Sequence, residues 1–176
     1  MEAGHTFLFT DLVGFTALTA ERGDDHGADV AVTFYDRVRP LLAEHGAEEV
    51  KTLGDGMMLR APHPRAGIEL GVAIVRELER QPGFPPVRVG VHHGPAVERA
   101  GDWYGNTVNV ASRLCSAAGG GQVLVSEDAA EQAGRLKRVG FGERRLHWLK
   151  NVSRPIGAHV AAPCAALLVN QPEVAA

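Results

Sequence analysis

The order in which the apolar period changes along this chain is its tightest constraint on fold. Thr6 to Thr10 (T-F-L-F-T) is short, aromatic and β-branched, and reads as a buried strand ending at Asp11. Arg22 to Gly27 is a solvated turn opening a helix on which Val30, Phe34, Val38 and Leu41 form one stripe, with Asp36, Arg37 and Glu44 off it. His45-Gly46 stops that helix. Glu48 to Leu59 predicts a hairpin turning at Gly54-Asp55-Gly56. After Pro62 to Pro64, the spacing of Ile68, Val72, Val75 and Leu78 predicts a second helix that stops before Pro82-Gly83. Val87, Val89 and Val91 then alternate with Arg88, Gly90 and His92, as in a strand with one buried face. The sum is β-α-β-β-α-β, an α+β arrangement of the ferredoxin-like split type, with helices packed on an antiparallel sheet.

A C-terminal α/β extension follows. Pro95 to Gly101 reads as a projecting arm, and a helix starts near Gly105, where the short polar side chains of Asn106 and Thr107 can cap free amides. Gly119-Gly120-Gly121 ends it. Gln122 to Val125 reads as a strand, Ser126 as the cap of a short helix, Leu136 to Leu149 as a pair of strands or one bent strand, and Ile156 to Ala162 as a last strand. Residues 1–162 are expected to form one domain, and residues 163–176, apolar without a period, a loosely ordered tail.

Composition narrows the classes. A formal net charge of −3 gives no electrostatic case for nucleic acid or an anionic membrane. Two cysteines, Cys115 and Cys164, make neither a disulfide framework nor a CxxC metal site, and Cys115 sits among apolar neighbours as a buried thiol. No leader and no apolar run of bilayer length is visible, so the expectation is a cytoplasmic domain.

Several polar residues fall where chemistry is done. Asp11 ends a strand and precedes a glycine turn and the helix start at Phe15-Thr16, so a carboxylate for a metal stands next to amides that face an anion. Asp55 is a second carboxylate beside glycine at a strand end, with Lys51 nearby. Two such carboxylates suit a pair of divalent ions about 3.5–4 Å apart in phosphoryl transfer. Asn109 and Arg113, four apart, project from one helix face toward phosphate oxygens, while Val108, Ala111 and Leu114 pack another. Lys51 and Asp102 supply a donor and an acceptor that match adenine's Watson–Crick edge and mispair with guanine. His92 and His93, adjacent on a strand, face opposite ways and cannot grip one ion together.

Four motifs in order, F-T-D-L-V-G-F-T, V-K-T-L-G-D-G, D-W-Y-G-N-T-V-N-V-A-S-R-L and L-K-N-V, make the chain resemble the class III nucleotide cyclases, the adenylate and guanylate cyclase catalytic domains, from Thr6 to Val160. The resemblance implies two Mg2+ or Mn2+ ions on Asp11, Asp55 and the Leu12 carbonyl, and an adenine-selecting pair in Lys51 and Asp102. It also implies a ribose-orienting Asn109, a transition-state Arg113 and a triphosphate-binding Lys150, although the family motif usually has glycine where Asn151 stands. It further implies a head-to-tail homodimer with two sites at the interface. One protomer would give Asp11 and Asp55, and the other Lys51, Asp102, Asn109, Arg113 and Lys150. The expected activity is conversion of ATP to 3′,5′-cyclic AMP and pyrophosphate, by a stand-alone cyclase or by a catalytic domain separated from a regulatory partner. A guanylate cyclase is disfavoured by Lys51 and Asp102, and a catalytically silent nucleotide-binding regulatory module by the presence of Asp11, Asp55, Asn109 and Arg113. An unrelated metal-dependent nucleotidyl transferase is disfavoured by the string N-T-V-N-V-A-S-R.

Overall fold

The computed structural model describes residues 4–169. The chain runs β1 (Gly4–Leu12), α1 (Phe15–Arg22), α2 (Asp24–Glu44), β2 (Glu48–Thr52), β3 (Gly56–Ala61), α3 (Pro64–Glu79) and β4 (Val87–Pro95). An arm of β5 (Val97–Arg99) and β6 (Asp102–Tyr104) follows, then α4 (Asn106–Ala117), β7 (Val123–Ser126) and α5 (Glu127–Ala133). The last elements are β8 (Val139–Phe141), β9 (Arg145–His147), β10 (Ile156–Pro163) and α6 (Cys164–Val169). The first four strands lie in the order β2-β3-β1-β4, every neighbour antiparallel, which is the split arrangement expected. β7 joins parallel to β4, β10 antiparallel to β7, and β8 and β9 both pair with β10.

Local differences from the sequence reading have physical causes. β1 runs on through Asp11 to Leu12, because β3 and β4 flank it on both sides and Asp11 pairs with Gly56 and Arg88. The turn before α2 shrinks to Gly23, whose φ of 91° admits the reversal, and Asp24 and Asp25 fill the first turn of α2. Neither Asn106 nor Thr107 caps α4, since the Thr107 hydroxyl instead donates to the Pro95 carbonyl at 2.6 Å. The start of the expected loose tail is helical as α6, which follows β10 directly, and residues 170–176 lie outside the described residues.

Side-chain alternation divides the sheet into two faces. Leu8 and Leu12 of β1 join Phe34, Val38, Ile68 and Ile74 under α2 and α3. Phe7 and Phe9 point the other way, into a cluster with Met58, Ala111, Trp103 and Val108 beneath α4 and the arm. Helix α4 comes unusually close to β4. A Cβ on Gly90 would stand 2.1 Å from the Cys115 nitrogen and 2.4 Å from the Ala111 oxygen, both backbone atoms that cannot rotate aside. Gly90→Ala is therefore expected to lower stability by about 3 kcal/mol in denaturant unfolding. A change below about 0.5 kcal/mol would mean that α4 does not rest on the sheet there.

Candidate active site

The α4 face collects the polar residues singled out above. Asp11 is the last residue of β1 to share the side of Phe7 and Phe9, and its register partner on β4 is Arg88. Arg88 meets Asp11 Oδ2 through Nε at 2.7 Å and Nη2 at 2.5 Å, and its Nη1 donates to the Ser116 carbonyl of α4 at 3.0 Å. Asp55 sits in the β2–β3 turn, where its carbonyl accepts the Leu12 N–H at 3.0 Å. Burial first, and then the charge of Asp11, push the Asp55 carboxyl above the usual carboxylate range. The two carboxylates thus converge although 44 residues separate them in sequence (55 − 11). The turn itself is tied to α2, where the Tyr35 hydroxyl donates to the Gly54 carbonyl.

A second cluster lies toward the β2 edge. Lys51 pairs in register with Met58, a member of the α4-side cluster, so its side chain leaves on that face. Its ammonium sits 2.5 Å from Asp102 Oδ2, while Asp102 Oδ1 accepts the Trp103 N–H at 2.8 Å. The lysine, and then that amide, hold the Asp102 carboxyl below its ordinary value. The aromatic residues His5, Phe7 and Trp103 stack behind it, with His5 and Trp103 ring centres 4.3 Å apart.

Asn109 and Arg113 stand one turn apart on α4, the first exposed and the second half-buried, and neither side chain makes an ion pair or hydrogen bond among the described residues. The buried side of the helix is Thr107, Val110, Ala111, Leu114 and Cys115, with Val108 only partly covered. Burial pushes the Cys115 thiol up to about 12, which keeps it an unreactive packing group. Phe15 and Thr16 open α1 behind Gly14, whose φ is 78°, and no side chain caps those amides.

Lys150 lies elsewhere. It is exposed on the turn between β9 and β10, and β10 is three strands across the sheet from β1. Asn151, where glycine was the expected residue, has a φ of 61°. That is the left-handed region, and asparagine is the non-glycine residue best suited to it. One chain therefore brings Asp11 to Asp55 and Lys51 to Asp102, and sets Lys150 three strands away from Asp11.

Arg88 is the residue that sequence reasoning missed. A lone arginine in an alternating strand carries no spacing signal, and only the β1–β4 register places it on Asp11. The two histidines behave as expected. His92 Nδ1 is 2.7 Å from the Ser126 hydroxyl and His93 Nδ1 is 2.9 Å from that of Thr6.

Comparison with known proteins gives the following. Residues 3–145 match the family described as adenylate and guanylate cyclase catalytic domain. A pH-sensitive adenylate cyclase of Mycobacterium tuberculosis (strain CDC 1551 / Oshkosh) is 37% identical over 154 residues, covering 82% of this chain and 38% of that protein. An adenylate cyclase of Streptomyces coelicolor is 36% identical over 129 residues, 73% of this chain and 34% of its own length. The chain spans about a third of the length of these curated relatives. A solved adenylate/guanylate cyclase/hydrolase from Silicibacter pomeroyi superposes with a TM-score of 0.79 at 27% identity, over 93% of this chain and 98% of that one. Among the described residues no helix is long and apolar enough to cross a membrane.

Proposed function

The chain belongs to the adenylate and guanylate cyclase catalytic-domain family, and on that premise we propose that it converts ATP to 3′,5′-cyclic AMP and pyrophosphate. The observation that carries the choice of base is the Lys51–Asp102 pair, a donor and an acceptor 2.5 Å apart on the α4 side of the sheet. Lys51 would donate to the acceptor nitrogen of the adenine ring, and Asp102 would accept from its amino group. Guanine reverses both roles and would leave two polar groups mispaired. The Trp103 amide keeps Asp102 oriented while the base replaces the lysine.

Class III cyclases in general use divalent metal ions, and the residues present fit them. Asp11 and Asp55 are an oxygen-only donor set of two nearby carboxylates, and the Asp55 carboxyl, raised first by burial and then by the charge of Asp11, is one whose ionised form a cation would favour. Asp11, Asp55 and the Leu12 carbonyl would hold two such ions, Mg2+ or Mn2+. Bound there, divalent ions would lower the pKa of the ribose 3′-hydroxyl and hold the triphosphate. Were Asp11 to hold a cation, Arg88 would keep its bond to the Ser116 carbonyl and could turn its other nitrogens to phosphate oxygens. The open amides of Phe15 and Thr16 at the start of α1 would face the same phosphates. Asn109 would orient the ribose, and Arg113 would stabilise the charge growing around the α-phosphorus as the 3′-oxygen attacks in line and pyrophosphate leaves.

The placement of Lys150 next to β10, three strands across the sheet from β1 and so away from Asp11 of its own chain, is what a site shared between two protomers of a homodimer would need, one giving Asp11 and Asp55, the other Lys51, Asp102, Asn109, Arg113 and Lys150. Trp148, 79% exposed two residues before Lys150, gives that surface an apolar anchor for association.

The test is turnover of ATP and of GTP by the purified chain with excess Mn2+, the cyclic product being quantified directly. Cyclic AMP with little cyclic GMP is expected. Lys51→Glu should lower the ATP-to-GTP ratio by at least about tenfold, since the new carboxylate repels Asp102 and no longer donates to adenine. An unchanged ratio would remove this pair from base selection.

A further inference from the structure

A cavity of about 320 Å3 lies where the end of β4, the base of the arm and the starts of α4 and α5 meet, apart from the carboxylate cluster and the Lys51–Asp102 pair. Its polar groups are arranged in an unusual way. His92 is only 7% exposed, and it points to the α4 side of β4, as Arg88 and Gly90 do. Its Nδ1 faces the Ser126 hydroxyl at 2.7 Å. That hydroxyl, on a residue with no exposed surface, already accepts the Ala129 N–H at 3.2 Å as the cap of α5. Among the described residues its own proton then has one acceptor in reach, the His92 Nδ1. This network assigns the tautomer, so the proton of the neutral ring sits on Nε2. Burial lowers the His92 pKa to about 4, so the ring is neutral near pH 7.

Nε2–H has no protein partner among the described residues, where no fully buried side-chain nitrogen or oxygen is left without one. It therefore faces the cavity that His92 lines. A second set of donors converges on the same space. The first intrahelical bond of α4 runs from the Asn109 N–H to the Gly105 carbonyl, and no side chain caps the amides of Asn106 and Thr107, whose residues line the cavity. The positive end of the helix dipole adds to them. Asp128 also lines the cavity, exposed, and raises the His92 pKa through its charge without bonding to it. The residue types Ser126, His92 and Asp128 are those of a hydrolytic triad, yet the serine oxygen is fully buried and engaged by a cap, so it cannot act as a nucleophile.

We propose that this cavity is a binding site for a small carboxylate of single charge, held by the His92 Nε2–H and the first amides of α4. Donors on two sides select an oxyanion, and the Asp128 carboxylate on the rim selects against a second negative charge. Since Asn109 and Arg113 ride on the same helix one and two turns further on, occupancy would bear on the helix that carries them.

The test is binding, independent of cyclase activity. In 15N–1H spectra of the full chain, sodium acetate should shift the amides of Asn106, Thr107 and Val108 along a saturable curve. Sodium chloride at equal ionic strength should not. His92→Phe, which removes the donor, should abolish the saturable shift. Asp128→Asn, at an exposed residue with no hydrogen bond to lose, should tighten acetate by about threefold. Equal shifts in chloride, saturation that survives in folded His92→Phe, or unchanged or weaker acetate binding in Asp128→Asn would each overturn the proposal. If His92→Phe does not fold, the Asp128→Asn result decides.

Discussion

Asp11→Ala is expected to cost roughly 10³-fold or more in metal-dependent turnover while the chain keeps its fold. The size follows from the several kcal/mol that a correctly held divalent ion contributes to a phosphoryl transition state, at about 1.4 kcal/mol per tenfold. The retained fold follows from position. Asp11 is half-buried on the α4 face, its backbone stays in register with Gly56 and Arg88, and Arg88 keeps the Ser116 carbonyl when the carboxylate is gone. The same carboxylate pair sets a pH dependence. Burial and the charge of Asp11 raise the Asp55 carboxyl, so protons compete with metal there at a higher pH than at an ordinary carboxylate. Metal is bound by the ionised form, so the concentration of Mn2+ needed for half-activation should rise as pH falls, beginning above the usual carboxylate range. Activation curves at stepped pH, with circular dichroism to confirm folding, measure both effects. Substantial metal-dependent turnover in folded Asp11→Ala would remove Asp11 from the metal site. A half-activation value that stays flat down to the usual carboxylate range would separate Asp55 from it.

Why some of this was legible in sequence and some was not comes down to range. The split β-α-β-β-α-β order is written in local periods, and each apolar stripe, Val30 to Leu41 or Ile68 to Leu78, needs only its own neighbours to be read. Asp11 and Asp55 stood out because each lies beside a glycine turn, a local signal, but their convergence depends on the antiparallel pairing of β1 with β3. Arg88 had no local signal, being one of several polar residues alternating with valines, and its role appears only once β4 is laid against β1. The same limit explains α4. Asn106 and Thr107 look like caps in sequence, yet Thr107 turns to the Pro95 carbonyl because the end of β4 brings that oxygen within reach. Asn151 is the reverse case. It departs from the expected glycine, but its left-handed backbone is one that glycine adopts freely and that asparagine tolerates.

Arg113→Ala is expected to lower turnover by about 10²–10³-fold with little change in ATP affinity, because a group that meets charge developing only in the transition state acts on kcat rather than on binding. Its side chain is held by no other polar group among the described residues, so removing it strands no partner and the fold should be untouched. This variant also decides how the site is assembled. Asp55→Ala and Arg113→Ala chains are each nearly inactive alone, but they damage opposite halves of a site shared between protomers. In a mixed dimer, one of the two sites would contain both lesions and the other neither. Random pairing of equal amounts makes half the dimers mixed, each with one intact site, so about a quarter of wild-type activity should return. If all the groups of a site came from one chain, every dimer would carry a lesion in each site and mixing would restore nothing. Recovery toward a quarter, measured as cyclic AMP formed on titrating one variant into the other, supports the shared site. Activity that remains the average of the two variants, in samples shown to exchange subunits, would place Asp55 and Arg113 of one chain in the same site.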